Sequence, residues 1–285
     1  MNALNHAANS IFDLLLTPLE AIGEEFAMIV VSGVFGVLAL LVFKHISSQK
    51  GIKAAKDKIK GHMIEIRIYQ DDLVLVSKAI GKVLLRNLQY VGLNFGPFIP
   101  LSIPFAFVIA QMVVRYGFVP MPVQEDYTQL LANEGLTIKV ELTEGFERQA
   151  TDLEIVLPDG IEAVSPVVAV PKKGYAYQEI VATRSGEFDL KFILGGTESI
   201  KKLAAGDVTP RVLQPERVSS FLSAVLWPAE DTFPEESHIA RVSFVYPESD
   251  LGWLPGSGPM GVILVFLVAS MAFGVAALKP LGVTI

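Results

Sequence analysis

Three long apolar runs constrain this chain more than any other feature of its sequence. They cover Ala27–Phe43, Leu93–Val114 and Pro259–Leu278, and the first and third contain no Asp, Glu, Lys or Arg. About 20 apolar residues are needed for a helix to cross the hydrocarbon of a bilayer, a length that each run reaches with its flanking residues. Hydrophobic residues make up 51% of the chain. The sequence therefore predicts a membrane protein with three transmembrane helices.

Two of these runs carry further local signals. The second contains Pro97, Pro100 and Pro104, which remove backbone donors that lipid cannot replace. We expect an irregular or re-entrant piece near Gly96–Pro100 and regular helix after Pro104. In the first run, Gly33 and Gly36 predict either close contact with another helix or ordinary tolerance of glycine in a membrane helix.

A charged amphipathic segment separates the first two runs. Its periodicity predicts two helices, Gly51–Tyr69 and Leu73–Tyr90, joined at Asp71–Asp72, with Asp72 as N-cap of the second helix. The two apolar faces can pack together as a coiled-coil hairpin, or one face can lie on the membrane surface. The members of the expected seam are Ile52, Ala55, Ile59, Ile66, Tyr69, Leu73, Val76, Ile80 and Val83.

The distribution of charge predicts an orientation. Lys44–Arg86 holds ten Lys and Arg against four acids, whereas the first 26 residues hold no Lys or Arg and four acids. The positive-inside rule then places the hairpin in the cytoplasm, the N-terminus outside and the C-terminus inside. The short apolar cluster Ile11–Leu16 predicts an interfacial helix that ends at Thr17–Pro18.

The long segment between the second and third runs has the pattern of β structure. Alternating apolar residues are separated by turn signals such as Pro158–Gly160 and Gly195–Gly196. About seven short strands in such a segment are typical of an immunoglobulin-like sandwich. Ser199–Ala205 is expected to be a helical turn and Pro215–Glu236 an irregular crossover. The expected strands are Leu136–Leu142, Leu153–Leu157, Val164–Val170, Tyr175–Thr183, Glu187–Leu194, Arg211–Leu213 and Ile239–Tyr246.

The predicted fold class is an α-helical membrane protein with three transmembrane helices, a cytoplasmic helical hairpin and an external all-β, immunoglobulin-like domain. It divides the chain into six segments. They are an N-terminal interfacial segment at 1–26, the first span at 27–44, the hairpin at 45–92, the second span at 93–118, the external domain at 119–256, and the third span with a short tail at 257–285.

No motif in the sequence indicates catalysis. The chain has no cysteine, and its four histidines lack the spacing of a metal site. A helix cap explains the Asp71–Asp72 pair better than acid–base chemistry does. We therefore expect no catalytic residue, no cofactor, no metal and no enzyme activity.

A lysine cluster marks the first half of the hairpin. It is either a solvated face that also suits anionic lipid, or a contact surface for an anionic partner such as ribosomal RNA. The charge distribution does not indicate DNA binding. The members of the cluster are Lys50, Lys53, Lys56, Lys58 and Lys60.

The spans and the hairpin together resemble the core of the YidC-type membrane insertases, whose superfamily includes three-span archaeal and endoplasmic-reticulum relatives. The resemblance covers about the first 115 residues and the last span. It rests on Thr17–Glu20 before the first span, on Phe43–His45 leading into Lys56–Ile59, and on the Gly/Pro-rich Asn94–Pro104. The β segment falls between the second and third spans, whereas the large external domain of the bacterial insertases precedes their core.

The resemblance implies a non-enzymatic protein of the bacterial inner membrane that assists the insertion or assembly of other membrane proteins. The implied intramembrane polar groove would contain Ser32, Ser102 and Gln111. Bacterial insertases typically carry an arginine on the first core span, and Ala27–Phe43 has none. The alternative is a structural or accessory subunit that docks onto a larger membrane complex through its external domain and its transmembrane helices.

Overall fold

The computed structural model describes residues 2–124, 135–234 and 236–283, so a short part of the predicted external segment lies outside the described residues. The chain divides into two compact units. One contains residues 1–28 and 106–264, and the other contains residues 29–105 and 265–285. The helices are α1 Asn2–Glu20, α2 Glu24–Ile46, α3 Gln49–Ile68, α4 Leu73–Phe95, α5 Phe98–Tyr116, α6 Phe221–Leu226 and α7 Gly258–Leu281.

Within the described residues, three helical stretches are long and apolar enough to cross a membrane. They are Glu24–Ile46, Leu73–Tyr116 and Gly258–Leu281, and they indicate a membrane protein. The predicted irregular piece before α5 is shorter than expected. Only Gly96 and Pro97 separate α4 from α5, and the helix continues through Pro104.

Small residues bring α2 and α7 together in the second unit. A Cβ added to Gly36 would lie 2.1 Å from the backbone oxygen of Ser270, and one added to Gly274 would lie 3.5 Å from the oxygen of Gly36. Glycine is required at position 36 because the facing atoms belong to backbone, which cannot move aside. Of the two interpretations of the glycines in the first span, the structure selects helix contact.

The predicted hairpin is confirmed. Helices α3 and α4 pack as an antiparallel pair, and Asp72 caps α4 by accepting hydrogen bonds from the backbone N–H groups of Val74 (2.9 Å) and Leu75 (3.0 Å). Ile52, Ala55 and Ala79 form the buried seam. The expected seam positions of Tyr69, Leu73 and Ile80 are wrong, because all three are exposed and Ala79 turns inward in place of Ile80.

The β region consists of two antiparallel sheets that share one hydrophobic core. One sheet has the order β3–β5–β1–β9–β8 with β4 also paired to β5, and the other has the order β2–β6–β7. Ile138 and Ile180 from the first sheet and Leu190 and Phe192 from the second are buried in the same cluster. The strands are β1 Leu136–Leu142, β2 Glu154–Val156, β3 Ile161–Ala163, β4 Val168–Val170, β5 Tyr175–Ala182, β6 Gly186–Leu194, β7 Thr197–Ala205, β8 Glu216–Val218 and β9 Ile239–Ser243.

Three local predictions in this region are wrong. Ser199–Ala205 belongs to strand β7 rather than to a helical turn, and it pairs along its whole length with β6. Arg211–Leu213 is not a strand. The expected irregular crossover Pro215–Glu236 contains both β8 and α6.

Candidate functional site: a buried polar cluster

Helix α1 carries a row of polar residues on its inner face. Its polar residues recur every three or four positions, at Asn2, Asn5, Asn9 and Asp13, so they share one face. That face is directed into the first unit, where Asn5 is buried, whereas Leu14 on the other side of the helix is 77% exposed. Leu16 is buried on the same side as Asn5, so the inner face of α1 is mixed. The exposed Ile11, Leu14 and Leu15 make part of the outer face apolar, and that part is suited to lipid or to another protein.

The last turns of α5 supply the partners of this polar face. Gln111 is fully buried and donates through Nε2 to Oδ1 of Asn9 at 2.9 Å. The side chain of Arg115 is 2% exposed, and its Nη1 lies 2.6 Å from Oδ1 of Asp13. Its Nη2 donates to the backbone oxygen of Asn9 at 3.3 Å. We call Asn5, Asn9, Asp13, Gln111 and Arg115 the polar cluster.

Contacts with the β region hold both helices in place. Asn9 donates to the backbone oxygen of Pro228 at 3.3 Å, and Arg211 donates to Thr17 at 2.9 Å. The backbone N–H of Leu213 donates to the oxygen of Val114 at 2.6 Å. The polar cluster is therefore formed by α1 and α5, and the segment that follows β7 holds the two helices in place.

Several polar atoms of the cluster have no hydrogen-bond partner among the described residues. They are Oδ1 and Nδ2 of Asn5, Oε1 of Gln111 and Nε of Arg115, and all four are buried. A buried polar atom without a partner typically costs about 1–3 kcal/mol. Packing alone does not explain such an arrangement, since apolar side chains of similar size would avoid the cost.

A cavity of about 500 Å³ lies on one side of Arg115. Glu24, Glu25 and Asp250 contribute acidic side chains to its wall, and Met28 and Phe118 contribute apolar ones. The cluster and this cavity offer hydrogen-bond donors, acceptors and charge beside apolar surface. Such a site can hold polar groups, and among its described residues it contains no nucleophile paired with a base.

The residues expected to form an intramembrane groove have different environments. Ser32 is buried in the second unit. Ser102 belongs to the same unit, but it is exposed and donates to the oxygen of Ile99 in its own helix at 2.7 Å. Gln111 belongs to the first unit and contacts Asn9. Of the three, only Gln111 is part of the polar cluster.

Sequence reasoning did not identify the polar face of α1. The apolar cluster at Ile11–Leu16 predicts only an interfacial helix, whereas the spacing of Asn5, Asn9 and Asp13 indicates a polar face. Arg115 follows the second apolar run, where an arginine is expected at the membrane interface, but its side chain is almost completely buried. The residues of α1 and α5 are about 100 positions apart, so their contact is not visible in local sequence.

The lysines singled out in the hairpin lie on the surface. Lys50, Lys53, Lys58 and Lys60 are exposed on α3 or at its start, as is Lys56. Among the described residues, no group of three His, Cys, Asp or Glu side chains is arranged to hold a metal ion. His238 stacks on Phe146 with 3.8 Å between ring centroids, and His62 contacts Glu65 at 2.9 Å.

A second buried charge lies in the β region. Lys201 on β7 has no exposed surface, and its Nζ contacts a carboxylate oxygen of Glu230. It also donates to the backbone oxygens of Gln214 (2.6 Å) and Lys202 (3.1 Å). Burial lowers the pKa of Lys201, and the Glu230 carboxylate opposes this effect. All three ammonium donors are used, which indicates a structural anchor for the segment after β7.

No family model matches this chain, and neither the curated proteins nor the solved structures contain a match to it.

Proposed function

We propose that this chain is a non-enzymatic protein of the bacterial inner membrane, with an insertase-like core that assists the insertion or assembly of other membrane proteins. The observation that carries the proposal is the polar cluster. Its buried, unpaired atoms are on Gln111 and Arg115, at the end of an apolar helix, and on Asn5 of α1. A polar segment of a client protein needs such partners where lipid provides none.

In this proposal, α1 covers the site when no client is present. Its polar face fills part of the hydrogen-bonding capacity of Gln111 and Arg115, and its exposed apolar face lies against lipid. A client segment binds by replacing contacts of α1, and this replacement costs less because the polar cluster is incompletely paired.

The cytoplasmic location of the hairpin and the external location of the β domain are inferred from the excess of basic residues in Lys44–Arg86. The β domain is proposed to be immunoglobulin-like because its two antiparallel sheets share a core.

The substitution Asn5→Leu separates a functional role of the cluster from a structural one. Both polar atoms of Asn5 are unpaired, so an apolar side chain of similar size is expected to raise the free energy of unfolding by about 1–3 kcal/mol. If the cluster receives clients, the same substitution lowers client binding. Ala7→Leu is the matched control, because Ala7 is an exposed residue of the same helix.

Client binding can be measured with a photo-crosslinking amino acid at Phe12, whose ring lies 5.8 Å from the guanidinium of Arg115. The same group at Leu14, on the exposed side of α1, reports on lipid-facing contacts. We expect varied nascent membrane proteins to be captured at position 12, and fewer of them in the Asn5→Leu variant. Capture of one stoichiometric partner with no nascent chains would overturn the insertase function.

That last outcome would favour the alternative function, a structural or accessory subunit. The observation in its favour is Val245, which is 81% exposed in the β region and is the position where a contact with a partner is tested. Substitution of Val245 by Lys would then release the partner, whereas an insertase would keep its capture of nascent chains.

A further inference from the structure

The hairpin of α3 and α4 carries an apolar stripe that no other described element covers. Its members recur every three or four residues along α4, so they lie on one side of that helix. Leu84 is 65% exposed and Leu88 is 70% exposed. We define the apolar stripe as Ile80, Leu84, Leu88, Val91 and Phe95.

Helix α3 carries a basic stripe with the same kind of spacing. Lys53, Lys56, Lys60 and Arg67 are three, four and seven residues apart and are exposed. They share one side of α3, and Met63 and Ile64 lie beside them. This side therefore combines positive charge with apolar surface.

The two stripes lie on the same side of the hairpin. Glu65 on α3 contacts Lys82 on α4 at 3.3 Å, so these two residues lie on one common side of the hairpin. On α3, Glu65 is two residues before Arg67, and on α4, Lys82 is two residues before Leu84. Two residues correspond to about 200° of rotation on a helix, which directs each stripe away from the Glu65–Lys82 contact.

The apolar stripe is also continuous with a membrane-spanning element. It ends at Phe95, whose ring centroid lies 5.9 Å from that of Phe98, the first residue of α5. The candidate stretch Leu73–Tyr116 contains both helices, and α5 is its more apolar part. A row of exposed leucines that runs directly into α5 is placed at the boundary of a bilayer. The phosphates of a folded RNA could bind the basic stripe, but they would not bury the exposed leucines of the apolar stripe.

We propose that the hairpin lies on the membrane surface, with the apolar stripe of α4 inserted among lipid chains and the basic stripe of α3 bound to anionic lipid head groups. A basic amphipathic surface of this kind binds by apolar burial together with attraction to anionic lipid. The inference does not depend on the insertase function, because a structural subunit could carry the same hairpin.

The test uses the full chain reconstituted in vesicles of phosphatidylcholine, with or without phosphatidylglycerol. The chain has no cysteine, so a spin label can be attached to a single introduced cysteine. Leu84→Cys and Leu88→Cys report on the proposed face, and Lys58→Cys reports on the other side. With phosphatidylglycerol, labels at 84 and 88 are expected to become accessible to oxygen and protected from a soluble nickel chelate, while the label at 58 remains in water.

A matched pair of charge variants tests the lipid contribution. Lys53→Gln with Lys60→Gln removes two charges from the basic stripe, and Lys58→Gln with Lys78→Gln removes two charges from outside it. At about fivefold per basic residue, the first variant is expected to shift the docked population about 25-fold toward the undocked state. The second is expected to leave it unchanged.

Two outcomes would overturn the proposal. Labels at 84 and 88 that stay in water beside phosphatidylglycerol, and become protected only when ribosomes or RNA are added, would assign the surface to RNA. Equal effects of the two charge variants would show that the basic stripe does not recognise the lipid surface.

Discussion

Removal of the carboxylate of Glu230 should destabilise the β region by several kcal/mol, because it isolates a buried cation. Lys201 has no exposed surface, and Glu230 is its charged partner among the described residues. In Glu230→Gln, the ammonium group keeps the backbone oxygens of Gln214 and Lys202 but loses its counter-charge. Breaking a buried ion pair in this way typically costs about 3–5 kcal/mol.

The ability of lysine to lose its proton sets an upper limit to this cost. The ordinary pKa of the side chain is 10.5, which is about 3.5 pH units above neutrality. Each pH unit corresponds to about 1.4 kcal/mol, so folding with a neutral Lys201 costs about 5 kcal/mol at pH 7. A larger loss than this would require another cause.

The pH dependence of the variant has a definite sign. Burial lowers the pKa of Lys201 in the folded state, and the loss of Glu230 removes the effect that opposes this shift. Between the folded pKa and 10.5, the unfolded chain binds one more proton than the folded chain. The free energy of unfolding of Glu230→Gln is therefore expected to rise with pH, by up to about 1.4 kcal/mol per unit.

Chemical denaturation of the full chain in micelles can measure both effects. Trp227 lies three residues before Glu230, and its fluorescence reports on this region once Trp253 is replaced by Phe. Glu198→Gln is the matched control, because Glu198 forms an exposed ion pair with Lys191 at 2.9 Å and is expected to contribute less than about 1 kcal/mol. Equal losses in the two variants, or no rise with pH, would refute the reasoning.

Three further predictions concern the helices. Gly36→Val is expected to lower the melting temperature markedly, because the added Cβ meets the backbone of α7, whereas Gly61→Val, which has open space around it, leaves it nearly unchanged. Ile59→Asp is expected to destabilise the hairpin by a few kcal/mol in denaturation experiments, since Ile59 is half-buried beside the seam, whereas Lys58→Glu on the exposed side has little effect. In intact spheroplasts, an impermeant maleimide is expected to label a cysteine at Lys172 and not one at Lys58, and the opposite result would reverse the proposed orientation.

Local sequence patterns predicted most of the elements that bury apolar residues and expose polar ones. Strand β1 was predicted with its observed ends, and the cap at Asp72 was predicted from residue type and position. Both follow from short-range physics, namely alternation of burial along a strand and a carboxylate that accepts from the first turn of a helix. The helix break before α5 is shorter than predicted, because Pro100 lies in the first turn of α5, where its missing N–H has no intrahelical partner to lose, and the helix also continues through Pro104.

Strand β7 was missed because its inward positions include a lysine. The pattern Ser199, Lys201, Leu203 is buried, so the strand alternates normally in space. In sequence, a lysine at an inward position conceals the alternation, since lysine is rarely buried without a partner. That partner, Glu230, lies 29 residues further along the chain, where no local pattern indicates it.

The polar face of α1 was missed for a related reason that bears on function. An asparagine on a helix is normally assigned to the solvent side, and in water the leucines of α1 would be assigned to the core. The structure departs from both at particular positions, with Asn5 buried and Leu14 exposed, although Leu16 is buried. A buried polar face needs polar partners, which Gln111 and Arg115 supply, and an exposed leucine row suits lipid or protein outside the helix. The same argument applies separately to α4, where exposed leucines adjoin a span. The exposed apolar rows of α1 and α4 are therefore surfaces suited to lipid or to another protein, in addition to the three apolar stretches.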